Sequence, residues 1–205
     1  QENHYKASKD LLSNYYKNFP SSELLTGKGL VVGGSHQISK VNDEIQFGDL
    51  SAVLMQNSPF WGQWIRTPEL SVALLDEWET KIEKLAHITA EENVTSLAGV
   101  PTWTLLLLKR ILEIKGKSTI KEVWPNLELY INGGVSFFPY RDQFEKIIGC
   151  KINYLEIYNA SEGFIAAQVD PDDDGMLLFT EHGIFYEFMP VEEYGNEKPV
   201  TVGLK

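Results

Sequence analysis

One short polar segment holds the side chains best suited to chemistry. Glu156-Ile157-Tyr158-Asn159-Ala160-Ser161-Glu162-Gly163 overlaps the end of an apolar run, Ile152 to Ile157, that reads as a strand. A strand that ends in such a loop is where open α/β sheets hold ligands, outside the carboxyl ends of their strands. Tyr158 offers a stacking face, Ser161 a hydroxyl with phosphate reach, and Glu162 a hard oxygen ligand for Mg²⁺. The same eight residues also fit an ordinary polar loop.

Other chemical patterns are present but weaker. Asp170, Asp172, Asp174, Gly175 and Glu181 satisfy the EF-hand calcium-loop spacing. That loop needs flanking helices, whereas Phe164 to Ala167 and Ile184 to Phe188 are β-branched and aromatic strand formers, so the acidic run reads as a solvated hairpin turn. His4, His36, His87 and His182 lie far apart, with no pair at metal-ligand spacing. Ser35-His36 lacks a nucleophile elbow and reads as a turn. Gly33-Gly34 and Gly133-Gly134 are too short for a dinucleotide fingerprint, and no Walker loop is present. Cys150, the one cysteine, excludes an internal disulfide and reads as a half-buried small residue. Trp61 and Trp64 suit a core, an interface or a pocket wall.

The elements that must position Tyr158 to Glu162 follow from periodicity. Ala7 to Phe19 carries Leu11, Leu12, Tyr15, Tyr16 and Phe19 at helical spacing. Gly29 to Val32 is a short strand, Gln37 to Phe47 alternates like a hairpin, and Asp49 is placed to cap a helix reaching about Gln56. Asp76 to Ile88 is an amphipathic helix with Glu77 and Lys81 at pairing distance, and its Glu-rich face through Glu92 reads as solvated. Val94 to Ala98 is a buried strand; Thr102 caps a helix to Lys115, which Gly116 closes. Thr119 to Glu122 has capping-box spacing. Leu127 to Ile131, a helix from Pro139 to Ile148, and Ile152 to Ile157 complete an alternation that predicts an α/β fold. It is a mixed or parallel sheet with crossover helices. Phe164 to Val169, Met176 to Phe179 and Ile184 to Phe188 then predict an antiparallel meander. The expected division is residues 1–163 as the α/β portion of a large domain and residues 164–205 as its antiparallel segment.

With 205 residues, 43% hydrophobic and 23% charged, the chain can bury a sizeable core. A formal net charge of −11 and no basic run disfavour nucleic acid as a partner. A nucleotide with bound Mg²⁺ stays compatible, because the metal offsets phosphate charge. No apolar stretch is long enough to cross a membrane, and Gln1 to Lys6 is no signal peptide, so a cytoplasmic location is expected. The missing initiator Met suggests a fragment.

Tyr158-Asn159-Ala160-Ser161-Glu162 resembles the Tyr-Gly-x-Thr-Glu motif of the adenylate-forming superfamily. Gly133-Gly134-Val135 resembles that superfamily's glycine pair. The chain resembles more closely the auxin-responsive Gretchen Hagen family of acyl-acid amido synthetases, in its bacterial branch. The stretches that carry this are Leu25 to Gly29 with Gly33 to His36, Gly48 to Ala52, Gly99 to Trp103, and Phe185 to Pro190, in that order. The resemblance implies ATP and Mg²⁺, an acyl-adenylate (acyl-AMP), and transfer of the acyl group from a small carboxylic acid to an acceptor amine such as an amino acid. It also implies that Gly133, Gly134 and Val135 present backbone to adenine, and that Tyr158, Asn159 and Ala160 line the nucleotide with Tyr158 stacking. Ser161 would approach the α-phosphate or acyl carboxylate, and Glu162 would hold Mg²⁺. Asn159 stands where the superfamily has Gly. The family's phosphate loop has no match upstream of Tyr5, and the chain stops before its ribose-binding Asp and catalytic Lys. The expectation is therefore a central fragment, inactive alone, with exposed apolar surface that favours a homodimer. The alternative reading is a non-catalytic nucleotide-binding or interaction module that keeps the fold.

Overall fold

Short runs of small and branched residues separated by helical stretches build one principal sheet in the computed structural model, which describes residues 2–33, 38–40, 42, 46–170 and 173–204. In chain order the strands are β1 (Lys28–Val32), β2 (Ile38–Lys40), β3 (Gln46–Gly48), β4 (Arg66–Thr67), β5 (Val94–Gly99), β6 (Leu129–Gly133), β7 (Asn153–Ala160), β8 (Gly163–Ala167), β9 (Leu177–Leu178), β10 (Glu187–Phe188) and β11 (Val202–Gly203). The helices are α1 (Glu2–Asn18), α2 (Leu50–Gln56), α3 (Leu70–Ala73), α4 (Trp78–Thr89), α5 (Pro101–Lys115) and α6 (Arg141–Ile148).

Seven strands form the sheet in the order β4-β1-β5-β6-β7-β8-β9. Pairing is parallel from β4 through β7, then antiparallel for β8 and β9. This is the expected parallel sheet with crossover helices. Alternation along the strands divides the core between two faces. Leu30, Val32, Leu97, Tyr130 and Tyr154 turn to one face, under α4, α5 and α6. Leu129, Leu155 and Phe164 turn to the other, where α1 packs through Ala7, Leu11 and Tyr15. The phenol of Tyr15 fixes that helix, donating to Glu128 Oε1 at 2.7 Å and accepting from Asn153 Nδ2 at 2.8 Å. A smaller cluster of Ala52, Met55, Ala73 and Leu74 joins α2 to α3 beside Val31.

Several local expectations are corrected. Helix α1 starts at Glu2, not Ala7, because tertiary bonds order a first turn with little apolar signal. Asn3 bonds at 2.8 Å to the His182 carbonyl and at 2.7 Å to the Phe164 N–H. Helix α5 starts at Pro101, whose fixed φ suits the first helical position, so Thr102 is inside the helix and does not cap it. Glu77 does not pair with Lys81. Its carboxylate caps α4, accepting from the N–H groups of Glu79 and Thr80, while Lys81 is buried and donates to the Gly33 carbonyl at 2.9 Å. The Asp49 cap, the Thr119–Glu122 capping box and left-handed Gly116 (φ 59°) match the sequence reading. The hairpin between Gln37 and Phe47 is present as β2 and β3; Gln37, Val41 and Asp43 to Ile45 lie outside the described residues. The meander is shorter than expected. β9 pairs with β8, but β10 leaves the sheet and pairs with β11. The Tyr186 hydroxyl, which donates to the Phe179 carbonyl at 3.1 Å, ties that segment back.

Candidate active site

The polar segment that opened the sequence reading is mostly strand. β7 continues through Tyr158, Asn159 and Ala160, and β8 folds back so that Ala160 pairs with Gly163. Only Ser161 and Glu162 form the turn, and both are exposed. The segment reads as a loop because its residues alternate between faces and lack one apolar side. Leu155, Ile157 and Asn159 point to the α1 face. Tyr158 belongs to the opposite set with Tyr154, and its ring is 55% exposed. Gly163 packs closely on side chains: a Cβ there would lie 2.6 Å from Ile184 Cδ1 and 3.0 Å from Asn3 Oδ1. Helix α1 thus seats the turn. His4 is buried against Phe164, and its Nε2–H donates to the Ala160 carbonyl at 3.2 Å. Burial lowers the His4 pKa below its ordinary value, against the opposing pull of that hydrogen bond.

Gly133, Gly134 and Val135 lie at the carboxyl end of the neighbouring strand β6. Gly133 pairs with Ile157, and a Cβ on it would stand 2.7 Å from the Ile157 carbonyl oxygen. Its lack of a side chain is accounted for by β7, one residue before Tyr158. Gly134 has φ 83°, in left-handed space, and a Cβ on it would meet only Val100 Cγ2 at 3.5 Å. Val135 is 43% exposed. The exposed Tyr158 ring and this open turn suit a planar ligand lying on backbone. Among the described residues no group of three or more His, Cys, Asp or Glu gathers to hold a metal.

The α1 face carries what sequence reasoning missed. Between α1, α2 and the sheet runs a cavity of about 480 Å³. Its walls are aliphatic for the most part, including Leu12, Leu54, Met55, Ile131 and Ile157. Asn159 reaches it from the motif, His4 from α1, and Arg66 lines it from β4. Pairings as distant as His4 with Ala160 leave no periodic trace in a sequence.

The remaining sequence candidates are placed as follows. The acidic run is flanked by β8 and β9, not helices; Pro171 and Asp172 lie outside the described residues. Gly34, Ser35 and His36 also lie outside them, as does the Trp61 side chain. Trp64 is 65% exposed and meets Phe60 edge to face. Cys150 is half-buried. Glu83, on the Glu-rich face, pairs with Arg110. No described helix is long and apolar enough to cross a membrane.

Comparisons with known proteins agree with this architecture. Residues 2–151 match the family model described as "GH3 family N-terminal domain". No curated protein matches the sequence. A solved structure titled "GH3.15 acyl acid amido synthetase" aligns with a TM-score of 0.67 at 12% identity, over 97% of this chain and 46% of that one. The chain thus spans about half the length of that relative. Two weaker likenesses are to apo MatB from Rhodopseudomonas palustris (TM-score 0.42, 17% identity, 80% of this chain and 28% of that one) and to the Vibrio cholerae adenylation domain AlmE in complex with glycyl-adenosine-5'-phosphate (TM-score 0.39, 14% identity, 81% and 27%).

Proposed function

Because the chain belongs to the GH3 family, we propose that it serves an ATP-dependent ligase that activates a carboxylic acid as its acyl-adenylate and passes the acyl group to an amine. The observation that carries the reading is the division of labour along β7. Tyr158 stands exposed on one face beside the open Gly134–Val135 turn, and Asn159 faces an apolar cavity on the other. Ser161 and Glu162 occupy the turn between the two faces. A nucleotide base on the Tyr158 side and an acyl tail on the Asn159 side would bring phosphate and carboxylate together at that turn.

In this reading Tyr158 stacks on adenine, with Gly133, Gly134 and Val135 as its backbone rim and Asn159 and Ala160 beside it. The Ser161 hydroxyl donates to a phosphate or carboxylate oxygen. Glu162 would hold Mg²⁺, which when bound supplies charge neutralisation at the phosphates. Attack at phosphorus asks the protein mainly to position groups and stabilise charge, so exposed, rigidly seated residues suffice. Packing of the Ser161–Glu162 turn against Asn3 and His4 supplies the rigidity. The test is ATP–pyrophosphate exchange by the full-length parent protein across a panel of carboxylic acids, with Glu162→Ala as control. Exchange that needs one class of acid and collapses in the variant supports the ligase. ATP binding without exchange for any acid, unchanged by the variant, points instead to a non-catalytic module.

A further inference from the structure

The cavity under α1 is apolar over most of its wall, yet a guanidinium lines it. Arg66 sits on β4 at the far end of the sheet from the motif. No Asp or Glu oxygen of the described residues is within ion-pair distance of it. Among the described residues only its Nη1 is bonded, donating to the Met55 carbonyl at 3.1 Å and to Ser58 Oγ at 3.4 Å. Those bonds pin the plane of the group at the end of α2. Among the described residues Nε and Nη2 have no hydrogen-bond partner, and neither is sealed from solvent. An Nε–Nη2 edge presents two parallel N–H groups, the geometry that takes both oxygens of a carboxylate. A cation on an apolar wall calls for such a partner, because desolvated charge is costly unless matched.

This cation cannot serve the reacting carboxylate. Four strand spacings separate β4 from β7, about 19 Å at ~4.8 Å each. Arg66 therefore stands remote from Ser161 and Glu162. Resting on the ligase reading above, we propose that the cavity selects an apolar acid carrying a second carboxylate at its far end, held by the Nε–Nη2 edge of Arg66. The substrate class is a dicarboxylic acid with an aliphatic middle. One carboxylate reaches the turn beside Asn159, the chain crosses under α1 between Leu12 and Ile131, and the other ends on Arg66.

The test is calorimetric titration of the protein with nonanedioate and with nonanoate, equal in length and differing only in the distal carboxylate, followed by neighbouring chain lengths. The diacid is expected to bind about tenfold more tightly, the scale of one charge-assisted bidentate pair. Arg66→Met should bring the diacid down to the level of nonanoate, leaving nonanoate and ATP unchanged. Arg66→Lys, which keeps charge but not the fork, should recover only part of the preference. Equal binding of the two acids by the unaltered protein would overturn the Arg66 inference while leaving the cavity an acyl site, and it needs no variant to fold. Loss of both acids in Arg66→Met would show that Arg66 holds the sole carboxylate or only caps α2, and would likewise overturn it. Binding of neither acid, with ATP still bound, would remove the acyl-site reading itself.

Discussion

Gly133 offers the sharpest test of what the glycine pair is for. A family resemblance assigns it to backbone contact with adenine, whereas the structure fills its missing side chain with β7. A Cβ at Gly133 would lie 2.7 Å from the Ile157 carbonyl oxygen and 3.0 Å from Ile157 Cγ1. The oxygen is backbone in a hydrogen-bonded strand and has no rotamer by which to yield. Gly133→Ala must therefore push β6 and β7 apart. Overpacking of this kind costs about 1–3 kcal/mol, and a backbone clash belongs to the upper half of that range. The stiffer unfolded chain returns roughly 0.4–1 kcal/mol, because alanine loses less entropy on folding. A net loss of about 1–2.6 kcal/mol remains, or a fall in Tm of roughly 2–10 °C for a chain of this size. Urea unfolding followed by circular dichroism should show a lower midpoint with an unchanged slope. Because the displaced strand carries Tyr158 one residue later, ATP affinity should fall as well. A variant as stable as the parent that binds ATP poorly would refute the packing argument and return Gly133 to a ligand role.

Two further outcomes follow from α1. Tyr15→Phe leaves Glu128 without its phenol donor and Asn153 without its acceptor; it should cost about 1.5–3 kcal/mol, the range for bonds to charged groups, read from the urea midpoint. His4 has a folded pKa below the unfolded value of 6.5, so below that pH the unfolded chain binds more protons. Its linkage leaves stability level above 6.5 and removes it progressively as pH falls from 6.5 through the lower folded pKa; His4→Gln should flatten that part of the profile, and an identical slope in the variant would assign the loss to other groups.

Parallel strands and crossover helices are legible in this sequence because buried strands are apolar runs and helices repeat every three to four residues. Asp49, Thr119 and Gly116 declare themselves by residue type, since capping chemistry is local. What the sequence conceals is tertiary. Glu77 and Lys81 have helical pairing distance, yet each finds a stronger claim elsewhere: capping for one, the end of β1 for the other. Tyr158 to Ala160 look like loop because a strand with a different role on each face loses its apolar alternation. The Asn159 cavity is invisible for another reason: its walls come from α1, α2 and strands β1, β4, β5, β6, β7 and β8, far apart in the chain. Arg66 carries no local signal in the sequence; only the sheet places it on an apolar wall.

Both outermost strands of the sheet are two residues long, Arg66–Thr67 on one side and Leu177–Leu178 on the other. A longer border would present a row of unpaired N–H and C=O groups to any passing extended chain. Two-residue strands offer little template for such growth, and β1 and β8 each extend beyond their short partner. Short rims of this kind are one way a sheet limits edge-to-edge pairing, and here one of them carries Arg66.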